Sequence, residues 1–484
     1  MQICDTIIRN ANVLDGSRAA PEPLDVAILG DRICEIGRAL QVDASKSIDA
    51  EGLALAPGFI DVHTHDDTGV IRTPAMLPKL SQGVTTVIVG NCGISAAPVH
   101  LSGDPPDPMN LLGGSRDFCY PTFAGYVEAV RRARPAVNVC ALVGHTSLRS
   151  NHMDRLDRGA TAVELASMRS QLQAALDAGA LGLSSGLAYL SAYAASTEEV
   201  LALAQPLAAA GAVYTTHLRS ETDAILEAMD EAFEIGRLSH VPTIISHLKC
   251  AGIDNWGRSS EILRALDAAS ALQPVACDCY PYAAGSSTLD LRQVDERVTI
   301  TITWSSPHPE MAGQTLEQIA KEWDLTHFEA AKLLLPAGAI YHSIFEEDMR
   351  RILRHPATMI GSDGLPNDPR PHPRLWGTFP RVLGRYCREL KLFSLPEAIY
   401  KMTGMPAQRF GLAQRGQIRE GYYADLVLFD PERIADAATF SDPTLPAVGI
   451  EGVWVNGALS YSRQGSTDQR NGRFLPRAGT AWIE

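Results

Sequence analysis

The sequence predicts an α/β fold, a (β/α)8 TIM barrel with a discontinuous small β-sandwich domain formed by both chain ends. Through the middle of the chain, short runs rich in Val, Ile and Thr alternate with amphipathic helical stretches. This alternation indicates parallel strands, and eight strand–helix units close a barrel. Segments of β type precede and follow that region, so we expect the two ends to meet. The length of 484 residues is enough for one large barrel with an attached domain.

We expect the barrel between residues 57 and 412. Its eight candidate strands are residues 58–65, 85–91, 138–144, 181–185, 213–217, 243–247, 275–280 and 358–362. Candidate helices are residues 161–178, 196–210, 221–235 and 259–271. The capping-box spacing of Thr161 with Glu164, and of Ser196 with Glu199, marks the start of two of them. A doubly wound open sheet would need fewer units and usually a glycine-rich phosphate turn, which this sequence lacks.

The small domain is expected from residues 1–56 and 413–484. Residues 26–37 are predicted to form a hairpin, and residues 425–430 and 448–456 are candidate strands near the other end. Residues 286–357 are too many for a simple connection between strands seven and eight, so we expect an insertion over the barrel mouth. A smaller insertion, rich in Pro and Gly, is expected at residues 95–120.

The overall charge is acidic, with 42 Lys and Arg against 56 Asp and Glu and a net charge of −14. This charge argues against nucleic acid or an anionic membrane as the main partner. The first residues show no secretory signal, and no run approaches the ~18 apolar residues of a membrane span. We therefore expect a cytoplasmic protein whose nine cysteines are reduced and mostly buried. The oligomeric state is left open.

Side chains of metal-binding type stand at the carboxyl ends of candidate strands, where barrel enzymes place their sites. The six are His63, His65, Cys92, His217, His247 and Asp363. Each alone has an ordinary explanation, since a lone cysteine usually packs and a lone aspartate often caps a helix. Burying all of them together without a cation would be costly. Imidazole, thiolate and carboxylate together favour Zn²⁺ over Mg²⁺ or Ca²⁺, either as two ions or as one tight site with a second, weaker one.

Other cysteines and histidines have different explanations. Cys92 as a nucleophile would need one histidine base, whereas metal binding accounts for the whole set of candidates. Cys277 and Cys279, on candidate strand seven, are interpreted as inward-facing core because no second Cys pair completes a zinc cage. His145 ends candidate strand three and is a candidate for substrate contact.

Three segments, spread over essentially the whole chain, resemble the amidohydrolase superfamily. Residues 57–65 (PGFIDVHTH) resemble its first-strand signature, residues 361–364 (GSDG) its eighth-strand aspartate, and residues 421–429 its returning C-terminal β segment. Many members bridge their metals with a carboxylated lysine on strand four, and residues 181–186 (LGLSSG) contain no lysine. The resemblance implies that Cys92 fills that bridging place.

This departure points to one branch of the superfamily. Together with residues 246–249 (SHLK), 362–366 (SDGLP) and 371–380 (PHPRLWGTFP), it resembles the N-acyl-D-amino-acid deacylase (D-aminoacylase) family. The resemblance implies zinc-dependent cleavage of a linear amide into a D-amino acid and a carboxylate. It also implies two sets of ligands, namely a tighter shell of Cys92, His217 and His247 and a second site of His63, His65 and Asp363.

The resemblance also implies a mechanism. A zinc ion lowers the pKa of its bound water, supplies a hydroxide nucleophile and polarises the amide carbonyl. Asp363 takes the proton of the attacking water and passes it to the departing amine, which needs it because an amine anion is a poor leaving group. The preference for the D isomer rests on the resemblance alone.

The α-carboxylate of an N-acyl amino acid requires cations or hydrogen-bond donors in the site. Candidates near the strand ends are Lys249, Tyr280, Tyr282, Ser287, Arg292 and Arg374. The resemblance supports Lys249 and Tyr280 most. Arg374 either pairs with a side-chain carboxylate, as in N-acyl-D-glutamate deacylases, or forms a salt bridge with an acidic loop residue. Arg292 and Arg374 favour an acidic D-amino acid, with hydrophobic D-amino acids as the runner-up.

Three other functions remain as alternatives. A ring-opening amidohydrolase of the hydantoinase or dihydroorotase type is disfavoured by Cys92 and by the missing strand-four lysine. A deaminase would have a glutamate three residues after His217, and here Glu221 stands four residues after it. A non-catalytic scaffold on the same fold would have lost its ligands, and all six candidates are present.

Overall fold

The barrel is the central element of the computed structural model, which describes residues 2–478. Its parallel strands follow the chain order. They are Phe59–Asp61, Val84–Val89, Asn138–Ala141 with its continuation Val143–Gly144, Gly182–Gly186, Val213–His217, Thr243–Ile245, Val275–Cys279 and Thr358–Ile360. A bridge between Thr64 and Gly364 closes the ring. All eight candidate strands are present, and the predicted barrel is confirmed.

Side chains alternate between the two faces of the barrel strands. One face fills the barrel interior with a small apolar cluster that includes Ile88, Leu181 and Ala276. The other face joins the large core between the strands and the surrounding helices. Cys277 and Cys279 belong to this outer core, so the prediction that they face inward is wrong. Their neighbours on the strand take the inward positions because the pleat has a period of two.

Most helices cover the outside of the barrel, whereas Leu316–Trp323 and His327–Leu334 pack in the insertion between strands seven and eight. The helices of eight or more residues are Phe123–Ala133, His145–His152, Ala162–Asp177, Thr197–Ala210, Ile225–Ser239, Ser259–Ser270, Leu316–Trp323, His327–Leu334, Glu346–Arg354, Arg374–Arg381 continued by the π-helix Val382–Glu389, and Leu395–Met402. Shorter ones are Gly69–Arg72, Leu77–Leu80, Leu190–Tyr193 and Gly404–Phe410. The 3₁₀ turns are Met109–Leu112, Ser115–Asp117, Ile253–Asn255, Leu291–Gln293 and Pro309–Met311.

The two predicted capping boxes differ. Thr161 Oγ1 accepts from Glu164 N at 3.3 Å, and Glu164 Oε2 accepts from Thr161 N at 2.8 Å, so this box is complete. Ser196 Oγ accepts from Glu199 N at 3.3 Å, but the Glu199 carboxylate lies 2.9 Å from His145 Nε2 instead of closing the box. A buried imidazole therefore takes the carboxylate that the spacing assigns to the helix end.

The helix predicted at residues 221–235 begins later, at Ile225. Before it, Thr222 N donates to Ser220 Oγ at 3.3 Å, which makes a turn. Glu221 stays outside the helix, and its Oε1 accepts from Lys249 Nζ at 2.6 Å. This turn, together with an ion pair to the segment after strand six, thus outweighs the local helical pattern.

A nine-stranded sheet joins the two ends of the chain. Its strands are Gln2–Val13, Glu22–Leu29, Arg32–Gly37, Val42–Asp49 and Ala54–Pro57 from one end, and Leu426–Phe429, Ile450–Val455, Ala458–Ser462 and Gly465–Ser466 from the other. Ala54–Pro57 pairs antiparallel with Leu426–Phe429, which confirms that a small β domain forms from both ends. Its bounds, 1–56 and 413–484, stay a prediction, and residues 1 and 479–484 lie outside the described range.

The segment between strands seven and eight builds a unit of its own. Gly285–Thr288, Ile300–Ser305 and Ala337–Tyr341 form a three-stranded antiparallel sheet with a separate apolar core. Helix Glu346–Arg354, which the prediction includes in this insertion, packs on helix Ser259–Ser270 as a barrel helix does. In the smaller insertion, the strands Val99–His100 and Cys119–Tyr120 pair antiparallel.

The structure bears on two expectations, namely that the cysteines are reduced and that the chain has no membrane span. The nine cysteines, all within residues 2–478, are unpaired. In that same part of the chain, no helix has both the length and the apolar character needed to cross a membrane.

Candidate active site

Four of the predicted ligands meet at the carboxyl end of the barrel. Cys92 Sγ lies 3.2 Å from His63 Nε2 and 3.3 Å from His247 Nε2. Asp363 Oδ1 lies 3.5 Å from His63 Nε2 and 3.2 Å from His65 Nε2. One donor atom each of His63, Cys92, His247 and Asp363 falls within 4.8 Å of the others. His65 is therefore at the edge of this cluster, next to Asp363.

His217 joins the cluster from a second side. Its ring centroid is 4.5 Å from that of His247, and it groups with His247 and Glu221 within 4.8 Å. Its buried Nδ1 has no hydrogen-bond partner among residues 2–478. The structure thus brings all six predicted metal-binding side chains together. Glu221 also lies at the site, and the sequence analysis did not predict this, because the pattern after His217 predicts a helix where the structure has a turn.

Three of these residues have a backbone conformation that L residues rarely adopt. The φ angles are +55° at Cys92, +37° at His247 and +49° at Asp363. Left-handed backbone at a non-glycine residue costs on the order of 1–3 kcal/mol and persists only where the surroundings impose it. Each residue lies two or three positions beyond the end of a barrel strand. The chain turns sharply at that residue, and the turn directs its side chain towards the cluster.

Asp278 orients two of the histidines and was also missed. It lies on strand seven, where its Oδ2 is 3.2 Å from His63 Nδ1. Its Oδ1 accepts from the backbone N of His247 at 2.9 Å. A carboxylate behind a metal-binding imidazole fixes the ring and its tautomer. Strand parity gives the signal that could have found it, because Asp278 shares the inward face with Ala276.

The cluster holds two buried groups as anions. Burial disfavours the thiolate of Cys92, but His63 and His247 hold the pKa of its thiol well below the usual value. Burial also opposes ionisation of Asp363, but Arg374, followed by His247, holds the pKa of its carboxyl well below the usual value. Deprotonated thiol and carboxyl groups beside imidazoles are the donors that a metal cation binds.

The donor set fits a zinc ion. His63, Cys92, His247 and Asp363 are at most 6% exposed, so their donor atoms are shielded from water. Zn²⁺ takes thiolate, imidazole and carboxylate ligands, whereas Ca²⁺ and Mg²⁺ take oxygen ligands. The unpartnered Nδ1 of His217 adds a further nitrogen that a cation is able to use.

A cavity of 1220 Å³ opens above the cluster, between the strand ends and the insertion. The predicted residues that line it are His65, His217, His247, Lys249, Tyr280, Ser287, Arg292 and Asp363. Within the described part of the chain, Tyr282 and Arg374 are not among its lining residues. Tyr189 also lines it, with its ring centroid 4.8 Å from that of His217, and the sequence analysis gave no indication of this residue.

Lys249 and Tyr280 are neighbours in the cavity wall. Burial lowers the pKa of the Lys249 ammonium, but Glu221 outweighs this effect and the pKa lies above its usual value. Lys249 Nζ also lies 2.9 Å from His247 Nδ1 and 5.9 Å from the ring centroid of Tyr280. The buried hydroxyl of Tyr280 has no hydrogen-bond partner in the range 2–478. This wall therefore offers an ammonium and a free hydroxyl.

The two arginines are both paired. Arg374 is 1% exposed, and its Nη1 lies 2.8 Å from Asp363 Oδ2, so of its two predicted roles the salt bridge is seen, with a site residue as the partner. Arg292 is 46% exposed and its Nη2 donates to Asp290 Oδ2 at 2.6 Å and to the Ala188 carbonyl at 2.8 Å.

The remaining candidates lie further from the cluster. Ser287 Oγ is 3.5 Å from the Tyr189 hydroxyl in the cavity wall. The Tyr282 hydroxyl reaches the Pro373 carbonyl at 3.5 Å, because the strand ends at Cys279 and the alternation of faces does not continue to residue 282. His145 is buried against Glu199 and is not a lining residue of the cavity within the described range.

Comparisons with known proteins agree on one family. The profile of the amidohydrolase family matches residues 46–298 and 325–461. The chain is 48% identical over 473 residues to the D-aminoacylase of Alcaligenes xylosoxydans xylosoxydans, and the match covers 98% of each chain. It is 47% identical over 482 residues to the N-acyl-D-aspartate deacylase of the same organism, covering 99% of this chain and 97% of the relative.

A solved structure of a relative has the same fold as this chain. It is the N-acyl-D-glutamate deacylase of Bordetella bronchiseptica, in complex with zinc and a phosphonate inhibitor that mimics the tetrahedral intermediate of its reaction. The TM-score is 0.95 at 44% identity, and the superposition covers 99% of this chain and 100% of that one.

Proposed function

The chain belongs to the amidohydrolase family, and we propose that it is a zinc-dependent hydrolase of the amide bond in N-acyl-D-amino acids, releasing a D-amino acid and a carboxylate. One observation carries the proposal, namely that His63, Cys92, His247 and Asp363 converge within 4.8 Å of one another beneath a cavity of 1220 Å³. The names of the full-length relatives, D-aminoacylase and N-acyl-D-aspartate deacylase, supply the substrate class.

The zinc ligands are proposed in two sets. As the family resemblance implies, Cys92, His217 and His247 would hold the tight ion, and His63, His65 and Asp363 would form a second, weaker position. When bound, zinc supplies Lewis acidity towards the amide carbonyl and towards a water molecule. Asp278 and Glu221 support the imidazoles from behind, at 3.2 Å from His63 Nδ1 and 3.0 Å from His247 Nδ1.

Asp363 is the proposed proton carrier. Its carboxylate lines the cavity, and the Arg374 guanidinium at 2.8 Å keeps it ionised and oriented. It accepts a proton from the attacking water as the new carbon–oxygen bond forms. It then gives this proton to the nitrogen as the carbon–nitrogen bond breaks, so the amine leaves as a neutral group.

Lys249 and Tyr280 are proposed to bind the α-carboxylate of the substrate. The ammonium of Lys249 provides the charge, and the unpartnered hydroxyl of Tyr280 provides a donor without breaking an existing bond. A hydrogen bond to a charged group contributes about 1.5–3 kcal/mol. Ser287, which also lines the cavity, is a further proposed donor.

We further propose that the preferred substrates carry an acidic side chain, with hydrophobic D-amino acids second. Arg292 supports this preference because it lines the cavity and is 46% exposed. Asp290 and the Ala188 carbonyl occupy its Nε and Nη2, and Nη1 makes no hydrogen bond to any described residue. That nitrogen remains for a substrate carboxylate.

Replacing Arg292 by methionine tests this preference. We expect kcat/KM for N-acetyl-D-glutamate to fall about 10- to 100-fold, because one charged hydrogen bond is lost. The value for N-acetyl-D-leucine should change less than about threefold. Arg297→Met is the matched control, since Arg297 pairs with Asp254 and Asp295 in the same segment but does not line the cavity in the described chain. An equal loss for both substrates would remove Arg292 from side-chain recognition.

The function itself is tested by a rate screen. Purified, zinc-loaded protein is incubated with N-acetyl-D- and N-acetyl-L-amino acids and with 5-substituted hydantoins. Amine release is measured for the N-acetyl substrates, and formation of the ring-opened N-carbamoyl amino acid is measured for the hydantoins. We expect turnover of the D isomers, loss of turnover after chelation and its return with zinc. Turnover of hydantoins alone would favour the ring-opening alternative, and a chain that binds no divalent metal would contradict the hydrolase proposal.

The partner in this proposal is a small N-acyl amino acid, which is supported by the names of the full-length relatives. A cytoplasmic location is part of the proposal and is supported by the nine unpaired cysteines, which are typical of a reducing compartment.

A further inference from the structure

A fully buried lysine lies directly behind the cluster, outside the residues assigned so far. Lys79 belongs to the short helix Leu77–Leu80 and is 0% exposed. Its Nζ lies 2.8 Å from Asp61 Oδ2 and 3.1 Å from Asp66 Oδ2. It also lies 2.8 Å from Thr64 Oγ1 and 3.0 Å from Ser362 Oγ. We call these five side chains the Lys79 network.

One half of the network holds the end of strand eight. Ser362 precedes Asp363, and its backbone N donates to Asp61 Oδ1 at 2.8 Å. Its hydroxyl donates to Asp61 Oδ2 at 2.6 Å. Asp363 N then donates to the His63 carbonyl at 2.7 Å. On the other side of Asp363, the backbone N of Gly364 donates to Ser362 Oγ at 3.1 Å, so hydrogen bonds on both sides hold the left-handed φ of +49° at Asp363.

The other half holds the turn after strand one. Thr64, between the two histidines, donates from its hydroxyl to Asp66 Oδ2 at 2.7 Å. The backbone N of His65 donates to the Gly364 carbonyl at 3.0 Å. The His63–His65 turn and the Ser362–Gly364 turn thus meet around a single ammonium.

The charges explain why a lysine occupies this place. Two buried carboxylates, Asp61 and Asp66, face each other across its ammonium, and each would be costly to bury without a counter-charge. The ammonium also packs tightly against Gly364, because a Cβ at residue 364 would come within 3.2 Å of Lys79 Nζ. The group is therefore closely packed as well as paired.

We propose that Lys79 is a positioning residue of the reaction, one that fixes the carboxylate of Asp363 relative to His63 and His65. This proposal rests on the proposed function, because it assigns Lys79 a role through residues placed in that mechanism. Lys79 itself is excluded from the cavity and touches neither substrate nor product. Its effect is on geometry, and a misplacement of about 1 Å at the reacting groups costs about 100-fold in rate.

The first test is Lys79→Met in the zinc-loaded protein. We expect kcat to fall about 100-fold, with KM within about threefold of wild type, because the proposed carboxylate-binding groups Lys249 and Tyr280 follow strands six and seven and do not contact the network. The matched control is Lys401→Met. Lys401 is also buried, at 1% exposure, but its Nζ donates to the His355 and Thr358 carbonyls at the opposite end of strand eight. Its kcat should stay within about twofold of wild type.

A milder variant covers the case in which Lys79→Met does not fold. Ser362→Ala removes one hydroxyl of the network and leaves both carboxylates and the ammonium in place. We expect about a tenfold loss of kcat with KM retained. A folded Lys79→Met, or failing that a folded Ser362→Ala, with wild-type kcat would overturn the proposal. A drop in kcat equal to that of Lys401→Met would do the same, since it would indicate a general structural effect.

A second measurement separates this proposal from the function itself. The dissociation constant of the second, weaker zinc position is measured by zinc titration for wild type and the three variants. We expect zinc affinity at this position to fall about tenfold or more in Lys79→Met, to fall less in Ser362→Ala and to be unchanged in Lys401→Met, since loss of residues behind the ligands costs about 10- to 100-fold. If wild type cleaves no N-acyl-D-amino acid, the proposed function fails, and unchanged zinc affinity at this position in a folded Lys79→Met would overturn the role of Lys79.

Discussion

Replacement of Asp363 by asparagine is expected to lower kcat by a factor of at least about 10³, while the zinc content stays close to that of wild type. An amide has nearly the shape of the carboxylate and keeps one oxygen towards the cluster, but it does not carry a proton between water and the leaving amine. General acid–base groups contribute about 10²- to 10⁴-fold to a rate. The measurement is kcat with N-acetyl-D-amino acids beside zinc per chain.

The same variant should also be less stable. Arg374 is 1% exposed, and Asp363 is its carboxylate partner at 2.8 Å. Loss of that charge leaves a buried guanidinium uncompensated, which costs about 3–5 kcal/mol in known cases. Asp368→Asn is the matched control, because Asp368 is a buried aspartate five residues further on, and burial raises its pKa to about 6. Near-normal turnover in Asp363→Asn would remove Asp363 from proton transfer.

Replacement of Cys92 by serine is expected to remove most of the tightly bound zinc. Cys92 Sγ lies between His63 Nε2 at 3.2 Å and His247 Nε2 at 3.3 Å, and its thiol is held ionised. A serine hydroxyl stays protonated there and is a poor zinc ligand. Loss of a residue that supports the ligands from behind costs about 10- to 100-fold in metal affinity. Loss of the ligand Cys92 itself should lower zinc affinity by more than this. Zinc per chain after dialysis is the measurement, and activity should fall in parallel.

Cys140→Ser provides the control for this exchange of sulfur for oxygen. Cys140 is also fully buried, but it packs in the apolar cluster inside the barrel, and burial raises the pKa of its thiol to about 12. That variant should lose stability and keep its zinc. If Cys92→Ser retains a full complement of zinc, Cys92 is only a packing residue.

The convergence of the six predicted metal ligands can be foreseen from the sequence for a simple geometric reason. His63, Cys92 and Asp363 lie far apart in the chain, but each follows an apolar run of strand length, and the carboxyl ends of parallel barrel strands meet at one face. The prediction needs only the position of the strand ends, and these depend on local patterns. Their role as ligands remains a prediction until the metal is measured.

The residues that sequence reasoning misses depend on partners from other parts of the chain. The local pattern predicts that Glu221 starts a helix, but the Ser220–Thr222 turn and the contacts of Glu221 with Lys249 and His247 hold it at the site instead. Lys79 has no local pattern that marks it, since its side-chain partners lie at least 13 residues away. Asp278 is marked only by strand parity, and its side-chain partners lie at least 31 residues away. Tyr282 fails for a related reason, because strand alternation applies only as far as Cys279.

The insertion has a consequence for how this protein can diversify. Its three-stranded sheet has an apolar core of its own, so its stability depends little on the barrel core. Arg292, the residue proposed to recognise the substrate side chain, belongs to this unit, whereas Lys249, Tyr280 and the six predicted metal ligands lie at the strand ends of the barrel. The proposed recognition of the variable part of the substrate and the proposed bond-breaking chemistry therefore lie on separately packed units. Changes in the first can accumulate in evolution, or be exchanged by design, without rebuilding the second.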